Sequence, residues 1–101
     1  MGSESSYDEL ASLTARLVEI DSINPDLIPG GAGEGEIAAF VAAWLRTAGL
    51  DVDLYEAAPA RPNVVGIARG SGGGGSLLLN AHTDTVGVAG MESPFVPAVQ
   101  E

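Results

Sequence analysis

The sequence predicts an α/β fold, two helices followed by a mixed sheet, and three observations carry that expectation. Apolar residues recur at helical spacing from Leu10 to Ile20 and again from Ile37 to Ala48. Residues 51–56 then alternate with period two, as a half-exposed strand does. Last, Leu77-Leu78-Leu79-Asn80-Ala81 is a short unbroken apolar run, the pattern of a strand buried on both faces.

The first helix is expected over Ser6–Ile20. Ser6 and Glu9 have the spacing of a capping box, in which each side chain satisfies an orphan amide of the first turn. Leu10, Leu13, Leu17 and Ile20 form one stripe, with Val18 alongside. Asn24-Pro25 and Pro29-Gly30-Gly31 stop the helix and open a loop that runs to Gly35.

A second helix is expected from Glu36 to Ala48, burying Ile37, Phe40, Val41, Trp44, Leu45 and Ala48. Glu34 and Glu36 suit the positive end of its dipole, and Gly49 suits the residue just past its end. Asp51–Glu56 and Asn63–Arg69 are the next strand candidates, joined by a turn over Ala57–Pro62. Gly70–Ser76 is glycine-rich, and a hairpin-like link between Asn63–Arg69 and Leu77–Ala81 is its most economical reading. Its last five residues also have the composition of an engineered flexible linker. The segment Gly87–Glu101 has no cap and no regular period, so residues 1–101 read as the truncated N-terminal portion of a larger domain.

Composition narrows the function classes. A chain of 101 residues is one small domain at most. Aromatic residues make up only 5%, so a core must rest on aliphatic side chains around Trp44. Four arginines and no lysine face fourteen acids, for a net charge of −10. That argues against nucleic-acid binding, which needs a basic face to displace counterions, and against an anionic membrane as partner. The acidity reads first as solvation of exposed faces; a field that concentrates cations is the alternative. With no cysteine, disulfides and thiolate metal sites are excluded, and with no lysine so is a phosphate-binding P-loop. Met1–Ser6 lacks the charged and apolar regions of a signal peptide, and no window approaches the ~18 apolar residues of a membrane span. A soluble cytoplasmic protein is expected.

The place for chemistry is His82, the sole histidine, with Asp84 two residues on. Alternate residues of extended backbone point the same way, so the pair converges on one point if the strand persists through Thr83. Ligand sites of open α/β sheets lie beyond the carboxyl ends of strands, which is where this pair sits. A neutral imidazole can ligate a divalent cation through one nitrogen while a carboxylate fixes the ring through the other. The competing reading is a hydrogen-bonded histidine followed by ordinary turn chemistry at Asp84-Thr85. A serine triad is disfavoured, because no Gly-x-Ser-x-Gly occurs.

The run Leu77–Val86, with His82-Thr83-Asp84 inside it, resembles the first metal-site motif of the aminoacylase/carboxypeptidase family of two-zinc amidohydrolases. That family includes acetylornithine deacetylase and succinyl-diaminopimelate desuccinylase. Further stretches resemble the family in the same order: Leu17–Pro25, Gly35-Glu36 before the Trp44 helix, Arg61–Gly66, and Ser93-Pro94-Phe95.

The resemblance implies the N-terminal part of a zinc-peptidase-like catalytic domain in a parent that hydrolyses an N-acyl amino acid or small peptide. His82 would be a zinc ligand and Asp84 the catalytic-site acid that clamps its imidazole, with Co2+ or Mn2+ as substitute metals. A glutamate general base and the remaining ligands belong to later motifs that this sequence does not contain, as does the domain through which such enzymes dimerise. The chain alone is therefore expected to be inactive. A non-catalytic piece or split-enzyme chain that complements a partner is the second reading, and an unrelated acidic binding module the third.

Overall fold

A computed structural model of the chain describes residues 3–100. Met1, Gly2 and Glu101 lie outside the described residues, and with them the ends of the Met1–Ser6 and Gly87–Glu101 readings. The elements run α1 (Ser3–Val18), α2 (Gly35–Thr47), β1 (Asp51–Ala58) and β2 (Arg61–Ile67). The α/β class is therefore met, but the sheet has two strands and is antiparallel, not mixed. Among the described residues no helix is long and apolar enough to cross a membrane.

α1 begins three residues earlier than its capping signal. Ser6 lies inside the helix, where the non-helical backbone that a capping residue needs is not available, so the Ser6–Glu9 box does not form the start. At the other end Ile20 donates to Leu17 O at 3.2 Å, a tightened last turn that carries helical bonding to the expected boundary.

α2 ends as its sequence requires. Gly49 takes φ +94°, its N–H donates to Arg46 O and that of Leu50 to Leu45 O, closing a Schellman motif. The expected apolar stripe of α2 splits in two. Ile37, Ala38 and Ala42 are buried, with Val41 and Leu45 half-buried beside them. Phe40 and Trp44 turn instead toward α1, where the Arg16 guanidinium sits 5.1 Å from the Phe40 ring centre. A groove of about 520 Å³ remains between the helices, so Trp44 stays 47% exposed and Ala48 is exposed as well.

β1 and β2 are longer toward their turn than the alternation alone indicates, because pairing extends from Asp51↔Ile67 to Ala58↔Arg61 across a bulge near Ala57. The turn is thereby reduced to Pro59-Ala60. β2 ends at Ile67, short of the expected Arg69. The face carrying Val52, Val64 and Gly66 packs on α2; a Cβ on Gly66 would stand 2.9 Å from a Leu45 methyl. A side chain there would displace the Leu45 methyl.

The expected third strand is absent. Leu77, Leu78 and Leu79 are 84–85% exposed, and Gly70–Ser76 closes no hairpin onto β2. An apolar run becomes a strand only when a neighbour takes its backbone hydrogen bonds. Here a cleft of about 570 Å³ separates residues 78–84 from β2. The fold is correspondingly open: its radius of gyration is 15.9 Å, against the ~13 Å of a compact chain of this length.

Candidate functional site

Although no sheet strand delivers it, the His82–Asp84 pair is held in place by a second segment sixty residues earlier. Ser22-Ile23-Asn24, just beyond α1, runs parallel to Thr83-Asp84-Thr85 with a single bridge at Ile23↔Thr85. Thr85 N–H donates to Ser22 O at 3.0 Å, and Asn24 N–H donates to Thr85 O at 2.9 Å. Ser22, 1% exposed, donates its hydroxyl to Thr83 O at 2.8 Å. Ile23 is buried, and its carbonyl accepts from Gly33 N–H at 3.0 Å. Gly31 lies so close beneath that a Cβ there would come 2.6 Å from that carbonyl oxygen. The loop that ends the first helix is thus a splint for the motif.

On this splint the two predicted site residues meet. His82 Nδ1 lies 2.9 Å from the backbone oxygen of Asp84 and 3.1 Å from its Oδ1. Both partners are acceptors, so Nδ1 carries the proton and the lone pair of the neutral ring is on Nε2. His82 is exposed, and it lines the cleft between β2 and residues 78–84 together with Glu34 and Asp84. The other oxygen of Asp84, Oδ2, accepts from the Asn24 side-chain amide at 2.9 Å. That donor is the main reason the Asp84 carboxyl is held below its ordinary range, with the nearby imidazole adding to it and partial desolvation opposing.

A second charged cluster braces the same loop. Arg61, at the start of β2, makes two hydrogen bonds to Glu34, at 2.6 and 2.7 Å, and a third to Asp26 at 3.0 Å. Glu34 is 8% exposed, and its carbonyl accepts the first bond of α2. Its carboxylate therefore meets Arg61 in place of capping the helix, and Glu34 first and Asp26 second keep the guanidinium firmly protonated.

The donor set is small. Among the described residues no group of three or more histidine, aspartate or glutamate side chains gathers into a metal-holding cluster. Asp84 has both oxygens engaged, so it is placed to orient the imidazole. His82 Nε2 is the one aromatic nitrogen with a free lone pair. Neither Ser22, Asn24 nor the Arg61 cluster was evident as site chemistry from sequence; Asn24 read as a helix stop and Glu34 as a dipole partner. The signal available was the polar Ser22-x-Asn24-Pro25 step beside a buried isoleucine.

No family model matches the chain, and no solved structure matches it. The chain is similar to N-formyl-4-amino-5-aminomethyl-2-methylpyrimidine deformylase of Bacillus subtilis (strain 168), with 31% identity over 100 residues. The match takes in 93% of this chain and 22% of that enzyme, so the chain spans about a fifth of the relative's length.

Proposed function

We propose that the chain contributes one corner of a metal-dependent amide hydrolase, with His82 as a zinc ligand through Nε2 and Asp84 as the acid that orients it. The observation behind this reading is the pair of acceptors on Nδ1, which leaves the ligating nitrogen free on an exposed ring. The likeness to a deformylase supports cleavage of an N-acyl bond, here of an N-acyl amino acid or small peptide. When bound, zinc (or Co2+ or Mn2+) supplies polarisation of the substrate carbonyl and activation of water. The residues of this chain hold the imidazole, keep its proton on Nδ1 and keep the Asp84 carboxylate ionised.

A single imidazole cannot hold zinc tightly, since structural and catalytic zinc sites use at least three protein ligands. The chain by itself binds the ion weakly and hydrolyses nothing. The remaining ligands and a glutamate general base would come from other parts of a parent enzyme, which acts in the cytoplasm as a dimer on small molecules.

Zinc titration followed by nitrogen NMR of the imidazole tests this. Zinc moves the Nε2 resonance far more than Nδ1, without saturating at stoichiometric metal, and His82→Ala removes the effect. Perturbation at Nδ1 alone, or none at all, overturns the ligand assignment. Submicromolar stoichiometric uptake overturns the claim of weak binding.

A further inference from the structure

Asn24 stands outside the motif, sixty residues before Asp84. Its side chain is nonetheless tied at both ends. Oδ1 accepts from Asp26 N–H at 2.8 Å, and Nδ2 donates to Asp84 Oδ2 at 2.9 Å. Those partners dictate which way the amide points. Flipped, it would set an oxygen against the carboxylate and an NH2 group against a backbone donor. Its own backbone N–H is fixed on Thr85 O. Asp26, whose amide orients Asn24, is in turn paired with Arg61.

From this chain of contacts we infer that Asn24 is a positioning residue, which holds the Asp84 carboxylate so that Oδ1 meets His82 Nδ1 and Nε2 is presented outward. A carboxylate has two equivalent oxygens and a soft terminal torsion. Pinning one oxygen on Asn24 fixes where the other points. Without that donor the carboxylate can rotate toward water, and the Nδ1 proton is held only by the Asp84 carbonyl. The free ring then exchanges between its two neutral forms, and less of it has a lone pair on Nε2. The inference rests on the reading of His82 as a metal ligand only for its consequence; the positioning itself concerns the metal-free chain.

The test uses the whole chain at neutral pH, with Asn24→Asp and Asn24→Ser. Aspartate keeps an oxygen for Asp26 N–H and removes the donor to Asp84; serine keeps a smaller acceptor without adding charge. Nitrogen shifts of His82 report the tautomer. Both variants lose Nδ1–H population while the Thr85 and Gly33 amides, which close the splint, keep their protection from hydrogen exchange. Zinc affinity, read from the Nε2 shift, falls about tenfold, the lower end of what loss of a ligand's supporting partner costs. An exchange variant, Asn24→Asp with Asp84→Asn, restores a donor–acceptor pair between the two positions and keeps an amide oxygen at position 84 to accept from His82 Nδ1. It recovers Nδ1–H population relative to the single variants.

An unchanged tautomer in both single variants overturns the inference. So does an exchange variant whose tautomer stays as disturbed as in the single variants, which would mark Asn24 as part of the backbone splint only. Should Asn24→Asp disturb the fold, Asn24→Ser carries the same comparison. If the tautomer shifts as expected but zinc leaves Nε2 untouched in the wild type, the positioning stands and the metal reading falls.

Discussion

The Ser22 hydroxyl donates to the carbonyl of Thr83 at 2.8 Å, joining the end of the first helical segment to the residue between His82 and Asp84. Ser22 is 1% exposed, so water cannot easily take its place. Removing the hydroxyl leaves the Thr83 carbonyl without this donor in a partly buried setting, which costs about 1–2 kcal/mol. Ser22→Ala should lower the free energy of unfolding by that amount, seen as a lower urea midpoint, and speed hydrogen exchange at the Thr85 amide. A change confined to the midpoint, with Thr85 exchange unaltered, would show that Ser22 does not support the 83–85 segment.

The Asp84 carboxyl titrates below its ordinary value of 3.8, chiefly because Asn24 donates to it. A carboxyl whose native pKa is depressed stabilises the fold above its unfolded value, and that contribution is lost as pH falls through the native value. The bridge between 22–24 and 83–85 should therefore hold from neutral pH down to about pH 4 and loosen further into acid. Side-chain carboxyl-carbon NMR of Asp84 gives the check: a midpoint below 3.8 in the wild type, moving upward in Asn24→Ala. A wild-type midpoint at or above the ordinary value would contradict the hydrogen-bonded geometry.

What could be read from sequence was decided by how local each interaction is. The Gly49 cap, the helical register of α2 and the alternation of Asp51–Glu56 depend on neighbours within a turn or a pair of strands, and these were legible. Leu77–Ala81 was not, because its fate depends on whether another strand lies beside it, and the run itself carries no information about that partner. The site divides in the same way. His82 and Asp84 are two residues apart, so their meeting follows from short-range backbone geometry. Asn24 and Ser22 reach the motif across some sixty residues, and Arg61 reaches Glu34 across 27. Only folding makes them neighbours.

Ala60 occupies the second central position of the β1–β2 turn with φ +60°, after Pro59. A proline followed by a left-handed residue is the type II arrangement, which favours glycine at the second position. The left-handed conformation costs alanine roughly 1–2 kcal/mol, while glycine gives back part of the gain through the freedom of the unfolded chain. Ala60→Gly should therefore stabilise the chain by about 0.5–1 kcal/mol in denaturant unfolding. A loss of stability would show that the turn relaxes out of the left-handed region in solution.

Leu77, Leu78 and Leu79 expose 84–85% of their surface in a run without ladder partners, opposite the free edge of β2. An unpaired apolar edge is a template for another chain's strand. Its attraction competes with the repulsion between copies that each carry a charge of −10. Short-range burial wins once salt screens the charges, so association should grow with ionic strength. Leu78→Lys places a strongly hydrated group on that edge while reducing the net charge, so any gain in solubility cannot come from stronger overall repulsion. Sedimentation velocity across a salt series should show the wild type associating and Leu78→Lys remaining monomeric. Equal association of the two proteins would place the contact elsewhere, with the groove between α1 and α2 as the next apolar surface to test.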